Sequence, residues 1–293
     1  MADDSPIADP SPGSSAEAFA WPREFSAKHF VYTVISPRAR GLSIGVNFNP
    51  DQQCNFDCIY CEVDRRRPAG KKSLEVGVMI AELRHALEMI SSGKIRQDPH
   101  YARLPESLLC LRHVTLSGDG EPTLCPNFAE AVAAILHLRA TGLFPFFKLV
   151  LVTNATGLDA RHVAPSVKRL DSSDEVWVKL DAGSEDYFQK VNRPQVPLSK
   201  VMVNITMLGR VRPVVIQSLF PSIDGREPAE EEIKQYLARL LELKAAGTMI
   251  SLVQVYSATR PVGNPCCGHL PLHSLFRIAK LIRSETGLKA EVF

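Results

Sequence analysis

Three closely spaced cysteines are the residues of this chain whose type and spacing most clearly indicate chemistry. Cys54, Cys58 and Cys61 form a C-x3-C-x2-C motif on a short loop after an apolar segment. Three thiolates this close can hold one metal centre, but the motif offers no obvious fourth ligand. A structural zinc site normally has four protein ligands, and an ordinary four-iron cluster has four cysteines. The missing ligand therefore indicates an open metal position, which is typical of a reactive centre.

Further polar residues lie where later strands are expected to end. The glycine-rich turn from Gly118 to Pro122, GDGEP, follows the apolar segment 113–117. Asn154 and Gln217 lie at the ends of two other apolar segments. Either amide is suited to a ribose or carboxylate contact, or to hydrogen bonds within the core, and the second interpretation is slightly favoured.

Lys179 and Asp181 alternate with apolar residues in the strand-like segment 176–181. The alternation predicts that one face packs against helices and that Lys179 and Asp181 point into the interior. Burying both charges is costly unless each is paired or bound to a ligand. An ion pair between the two and a contact with a cofactor or substrate both meet that requirement, and the sequence leaves both open.

The elements that must position these residues alternate between strands and helices. Such alternation predicts βαβ units and a parallel sheet. About six units are fewer than the eight of a closed barrel, so we expect an incomplete (β/α)6 TIM-type barrel. Ligands in such folds bind at the carboxyl ends of the strands, where the cysteine loop and the GDGEP turn fall. The predicted strands are 42–48, 113–117, 149–153, 176–181, 214–219 and 250–256, with residues 289–293 suited to a short final one.

The helix boundaries give additional predictions. Asn127 and Glu130 resemble a capping pair at the start of one helix. Another helix is expected around residues 160–170. Pro228 in the first turn and Gly247 past the end are typical of a third helix.

Composition places the chain among ordinary globular proteins. It has 293 residues, of which 45% are hydrophobic and 23% are charged. Its net charge of +2 gives no electrostatic argument for binding to nucleic acid or to an anionic membrane. No apolar stretch approaches the roughly 20 residues that span a bilayer, and no secretory signal is recognisable. Residues 1–25 are expected to be a disordered tail, and 26–293 one domain. Seven cysteines without an export signal favour a reducing, cytoplasmic location.

The motifs CNFDCIYC and GDGEP together resemble those of the radical S-adenosylmethionine (radical SAM) superfamily. The resemblance extends from about residue 42 to the C-terminus. Within the superfamily, the chain is most similar to the iron–sulfur oxidoreductase group related to wyosine synthesis. The segments that carry this similarity are SPRARGLSIGVNFNPDQQCNFDCIYCE, SGDGEPTL, VKLDA and QVYSATRP.

The resemblance implies a [4Fe–4S] cluster on Cys54, Cys58 and Cys61 whose fourth iron binds the amino and carboxylate groups of S-adenosylmethionine. It also implies an enzyme of the oxidoreductase or lyase type. The reduced cluster would cleave the cofactor, and the resulting 5′-deoxyadenosyl radical would abstract hydrogen from an unidentified substrate. A reducing electron donor of the flavodoxin or ferredoxin type is the expected partner.

The resemblance also suggests residues that contact the cofactor. Tyr60 occupies the position of an aromatic residue beside the adenine, and Gly118, Gly120 and Glu121 lie on the turn that meets the methionyl amino group. Asp119 stands where the common motif, GGEP, has glycine, and aspartate tolerates the left-handed conformation. The candidate cofactor-binding residues are Tyr60, Gly118, Gly120, Glu121, Asn154, Lys179, Asp181 and Gln217.

Two other functions remain as alternatives. One is a tRNA-base-modifying enzyme of the wyosine type, with the basic run from Arg65 to Lys72 on phosphates, although a solvated charged loop is favoured. Wyosine enzymes carry an additional cluster on cysteines that precede the radical SAM loop, and this chain has no cysteine before Cys54. RNA is therefore not the favoured partner. The other alternative is a non-catalytic barrel with structural zinc.

The remaining cysteines are expected to be structural. Cys266, Cys267 and His269 could form a second metal site, but a turn with buried thiols is favoured because no further ligand lies nearby. Cys110 and Cys125 are expected to be packing residues.

Overall fold

The computed structural model describes residues 29–65, 73–258 and 262–293. The expected N-terminal tail lies outside the described residues. The basic run does too, except for Arg65.

The frame of the protein is an eight-stranded sheet with the order β1-β2-β3-β4-β5-β6-β8-β10. Only the β1–β2 pair is antiparallel, and every other neighbouring pair in this sheet is parallel. β7 and β9 form a separate antiparallel pair. The strands are β1 (Val31–Ser36), β2 (Gly41–Asn47), β3 (Leu111–Ser117), β4 (Leu149–Thr153), β5 (Glu175–Lys179), β6 (Val214–Leu219), β7 (Ser222–Ile223), β8 (Ile250–Tyr256), β9 (Cys267–Gly268) and β10 (Ala290–Val292).

Helices connect most of the parallel strands. No helix in the described ranges has both the length and the apolar character needed to cross a bilayer. The helices are α1 (Val76–Ser91), α2 (Pro99–Ala102), α3 (Glu106–Leu109), α4 (Phe128–Ala140), α5 (Ala164–Val167), α6 (Glu185–Asn192), α7 (Leu198–Gly209), α8 (Glu230–Ala245) and α9 (Leu272–Thr286), with 3-10 turns at Lys94–Gln97 and Pro122–Leu124.

The two faces of the sheet have different surroundings. Val176 and Val178 of β5 belong to the main apolar core, together with the inward faces of the helices. Trp177, between them, packs instead with Val150 and Val215 on the other face. The alternation predicted for this strand is therefore confirmed. Because β1 and β10 at the two edges are not paired with each other in the described part of the chain, the sheet is open, as an incomplete barrel requires.

β1 was not predicted from the sequence. Ser36-Pro37 and Gly41 interrupt the apolar pattern, but Ser36 and Gly41 are the paired end residues of a hairpin whose register begins with Val31 opposite Val46, and Pro37 opens its turn. The turn is closed by a hydrogen bond from the Arg40 backbone N to the Pro37 carbonyl, 3.0 Å. The other predicted strands, including the short final one, are present.

Three helix predictions were wrong in detail. Asn127 occupies the N-cap position of α4 as predicted, but its side chain makes no capping hydrogen bond and donates from Nδ2 to the Leu74 carbonyl at 2.9 Å. Residues 160–170 contain only the short α5, since Pro165 has no N–H and is confined to a first turn. Pro228 precedes α8, which begins at Glu230, whereas Gly247 follows that helix with a φ of 82°.

Candidate functional site

A cavity of about 190 Å³ lies at the carboxyl edge of the sheet, where the parallel strands end. The three motif cysteines all border it. So do most of the other predicted site residues, which the sheet brings together from separate parts of the chain. The predicted residues on its lining are Cys54, Cys58, Tyr60, Cys61, Gly118, Gly120, Glu121, Asn154, Lys179 and Gln217.

The end of α6 fixes the conformation of the cysteine loop. The backbone N of Asp57 donates to the Asn192 carbonyl at 3.0 Å, and that of Ile59 donates to Val191 at 2.9 Å. Gln195, just after the helix, donates from its backbone to the Asn55 carbonyl at 2.9 Å. The loop is therefore held like a strand against a distant segment, a contact that the sequence analysis did not predict.

The thiols of the motif have hydrogen-bond donors of their own. The Phe56 backbone N lies 3.4 Å from the Cys54 sulfur, and Asn192 Nδ2 lies 3.5 Å from the Cys58 sulfur. The Arg65 guanidinium donates to the Gln52 carbonyl at 3.0 Å, and the nearby thiols of Cys61 and Cys54 raise the pKa of Arg65 against the opposing effect of burial. Burial raises the pKa of the Cys58 thiol to about 11, against the opposing effect of the Lys179 charge. Because thiolates are the ligand form, binding of a metal group here would release protons.

The three motif thiols border one cavity. In the part of the chain that the structure describes, no three His, Cys, Asp or Glu side chains are placed to hold a single metal ion. In an iron–sulfur cluster each cysteine sulfur binds a different iron, and soft thiolates are the ligands that such clusters use. The chemistry of this donor set therefore fits an iron–sulfur cluster.

The glycines of the GDGEP turn permit close packing against the segment that leads to Cys54. A Cβ on Gly120 would lie 1.8 Å from the Gln53 carbonyl oxygen, and one on Gly118 would lie 2.5 Å from Asn49 Oδ1. The Glu121 backbone N donates to the same Gln53 carbonyl at 2.9 Å. The close approach is thus between two parts of the protein, and contact of this turn with a cofactor stays a prediction.

Asp119 does not need the left-handed conformation that its place in the motif suggested. It is not among the residues with positive φ. Its carboxylate accepts from Asn47 Nδ2 at 2.7 Å, and its backbone N donates to Asn47 Oδ1 at 2.9 Å. Asn47, the last residue of β2, therefore secures this turn.

The Glu121 carboxylate is buried and used by protein donors. It accepts from Thr123 Oγ1 at 2.7 Å, from the Asn154 backbone N at 2.7 Å and from Thr153 Oγ1. Burial raises the pKa of Glu121, and these hydrogen bonds oppose the rise. The carboxylate thus joins the turn after β3 to the end of β4. Its predicted contact with an ammonium group remains untested.

Tyr60 stands between Lys179 and Asp181. Its hydroxyl donates to Asp181 and accepts from Lys179 Nζ at 3.2 Å, and the ammonium lies 4.7 Å from the ring centroid. Asp181 also accepts from Asn192 Nδ2 at 2.7 Å and from the Leu219 backbone N at 2.8 Å. Within the described ranges the two charges form no direct ion pair, so the tyrosine relays their interaction. Asp181 is 2% exposed and does not line the cavity, whereas Lys179 does.

The two candidate amides, Asn154 and Gln217, differ in whether the side-chain oxygen already accepts a hydrogen bond. Asn154 donates from Nδ2 to Asn55 Oδ1 at 2.8 Å, and its Oδ1 accepts from the Thr156 backbone N at 3.0 Å. Gln217 Nε2 donates to Gln254 Oε1 at 3.0 Å, but Gln217 Oε1 has no partner in the described part of the protein. Asn154 therefore braces the cysteine loop, and Gln217 keeps a buried acceptor at the cavity.

The remaining cysteines do not form a second centre in the described residues. Cys266 is exposed and Cys267 is buried in β9, while His269 Nδ1 lies 3.3 Å from the Ala258 carbonyl. Cys125 is buried, as expected of a packing residue. The same expectation for Cys110 was wrong, because this thiol, just after α3, is exposed and donates to the carbonyl of Glu106, the first residue of that helix.

Comparison with known proteins finds relatives named as UPF0026 proteins. A UPF0026 protein of Helicobacter pylori is 24% identical over 230 residues, which are 76% of this chain and 66% of that protein. The chain covers between 52% and 66% of the lengths of this and two similar UPF0026 proteins, so it matches only part of each.

Solved structures share the fold. A radical SAM methyltransferase from Sphaerobacter thermophilus has a TM-score of 0.64 at 16% identity, covering 90% of this chain and 68% of its own. The structure of TYW1 with a lysine–pyruvate adduct bound has a TM-score of 0.56 at 15% identity, covering 89% and 85%. The family model of the radical SAM superfamily matches residues 48–237. With that match and the cysteine cavity at the strand ends, the chain belongs to the radical SAM superfamily, whose members use a [4Fe–4S] cluster and S-adenosylmethionine.

Proposed function

We propose that Cys54, Cys58 and Cys61 bind the [4Fe–4S] cluster and that this protein is a radical enzyme acting on a substrate held inside the open barrel. The observation that carries the proposal is that the three thiols border the same cavity as the ends of β3 to β6. When bound, the cluster and S-adenosylmethionine together supply a 5′-deoxyadenosyl radical that abstracts hydrogen, in an oxidoreductase or lyase-type reaction.

The chain's own residues orient and shield this chemistry. Asn192 donates toward the Cys58 sulfur, and the positive charge of Arg65 lies near Cys61 and Cys54, so both favour the anionic state of the sulfurs. Gln217 Oε1 and Lys179 are the groups at the cavity suited to bind the cofactor, the first as a buried acceptor and the second as a cation. Glu121, Asn154 and Asp181 act as positioning residues, since protein donors occupy their oxygens.

Reconstitution under anaerobic conditions tests the proposal. After incubation with iron and sulfide, each protein chain should bind about four iron atoms. With dithionite and S-adenosylmethionine it should then release 5′-deoxyadenosine. Cys58→Ala should abolish both, whereas Cys266→Ala, a matched change of a cysteine remote from the motif, should retain both. Failure of the unaltered protein to release 5′-deoxyadenosine would refute the proposal.

The alternatives have separate tests. A wyosine-type tRNA enzyme would bind tRNA in a filter assay, with an affinity that falls steeply between two salt concentrations. A structural zinc protein would be colourless and hold about one zinc.

A further inference from the structure

A second cavity inside the sheet adjoins the cysteine cavity. It has a volume of about 180 Å³, and Arg38, Tyr60 and Tyr256 are among the residues that line both. None of the motif cysteines borders it. A ligand in this second cavity would therefore lie beside the proposed radical chemistry without touching the cluster ligands.

We propose that this second cavity binds a ring-sized, negatively charged group of the substrate, with Arg38 as the residue that recognises the charge. That the bound molecule is the enzyme's substrate rests on the proposed function, whereas the binding of a carboxylate in this cavity does not depend on it. The chemical class is a small planar carboxylate.

The dimensions and walls of the cavity suit one ring. An apolar cavity of about 150 Å³ accommodates benzene. Here Trp177 forms one wall, 5% exposed, with its ring edge-on to His113 at a centroid distance of 5.5 Å and an interplanar angle of 84°. Tyr32 and Phe293 line the cavity from the two edges of the sheet. Such aromatic walls favour a flat apolar body.

Arg38 supplies a cation whose hydrogen-bond donors remain available. Its guanidinium carbon lies 4.8 Å from the Tyr256 ring centroid, a cation–π contact, and no hydrogen bond of its N–H donors is present among the described residues. Among the described residues Arg38 has no ion pair with a carboxylate, and Glu62, which also borders the cavity, has an interaction of its own. A guanidinium edge is suited to bidentate binding of a carboxylate.

None of the other side chains that line this cavity is a cation near pH 7. Burial lowers the pKa of His113 to about 3, so its ring is neutral near pH 7. Ser43 and Thr115 satisfy each other through an oxygen–oxygen hydrogen bond of 3.1 Å. Arg38 is therefore the group in this cavity best able to distinguish an anion from a neutral molecule.

Tryptophan fluorescence provides a direct assay. The chain has two tryptophans, so Trp21→Phe leaves Trp177 as the reporter. The probes are benzoate and its neutral counterpart benzamide, titrated into the full chain without a cluster. We expect benzoate to bind about tenfold more tightly, as a charge-assisted pair provides. Arg38→Gln should remove that preference, and Arg38→Lys should keep part of it.

Arg40→Gln is the matched control, since Arg40 belongs to the same turn but pairs with Glu291 at 2.9 Å. It should leave the benzoate preference unchanged. Equal binding of the two probes, an unchanged preference in Arg38→Gln, or displacement of benzoate by S-adenosylmethionine would overturn the inference. If the protein does not bind benzoate but still forms 5′-deoxyadenosine, only this inference is refuted. If it binds benzoate but forms no 5′-deoxyadenosine, only the proposed function is refuted.

Discussion

Asn192 lies against Cys58, with 3.5 Å between its Nδ2 and the cysteine sulfur, although 134 residues separate the two in the chain. The same amide donates to Asp181 at 2.7 Å and to Tyr60 Oη at 3.0 Å. The side chain is fully buried, and it connects a proposed cluster ligand to the Tyr60–Lys179–Asp181 network. Replacing Asn192 therefore tests how the surroundings of this sulfur affect the cluster.

Replacing Asn192 with Ala should lower the reduction potential of the cluster. A hydrogen bond to a ligand sulfur stabilises the reduced, more negative state, so its loss makes reduction harder. A redox titration followed by electron paramagnetic resonance measures the change. Asn204→Ala is the control, because Asn204 is equally buried but donates to the Ala155 carbonyl at 2.8 Å. Equal potentials in both variants would argue against a role for Asn192.

Removing the Tyr60 hydroxyl should destabilise the fold. Tyr60→Phe leaves Asp181 and Lys179 without their shared partner, and an unsatisfied buried polar group costs about 1–3 kcal/mol. Urea denaturation measures the free energy of unfolding. Tyr101→Phe, which loses the 2.8 Å bond to Thr33 Oγ1, should cost less, about 0.5–1.5 kcal/mol. The reverse order would contradict the bridging role of Tyr60.

Gly120→Ala should disturb the cysteine loop. The new Cβ would lie 1.8 Å from a backbone oxygen of Gln53, which cannot move aside without shifting the segment that leads to Cys54. We expect a loss of about 1–3 kcal/mol in unfolding free energy together with reduced iron incorporation. Gly77→Ala is the control, since a Cβ there meets nothing within 4 Å. Full iron content in Gly120→Ala would show that the two segments need not be in contact.

His113 should make the protein acid-sensitive. Burial, helped by Lys148 and Arg38, lowers its pKa from 6.5 to about 3. Between these values the unfolded chain binds more protons than the folded one, so stability falls as the pH drops from 6.5 toward 3. The contribution is about 1.4 kcal/mol per pH unit at most. Unfolding at several pH values should show a shallower dependence in His113→Gln, and parallel curves would contradict the assignment.

The sequence was sufficient to predict which residues meet at the candidate site, because its key features are local. The cysteine spacing and the apolar strands ending at polar residues lie within short segments, and the sheet brought them to one edge. Asn192 and Asn47 could not be found in this way, because their roles depend on contacts across long stretches of chain. The hairpin strand β1 was missed because its turn residues look like breaks when the pairing partner is unknown.

The most direct test of the central claim is the electron paramagnetic resonance spectrum of the reduced protein with and without S-adenosylmethionine. If the three cysteines leave one iron open for the cofactor, adding S-adenosylmethionine should shift the g values of the cluster signal, and Cys58→Ala should show no such signal. A cluster signal that S-adenosylmethionine leaves unchanged would contradict the account.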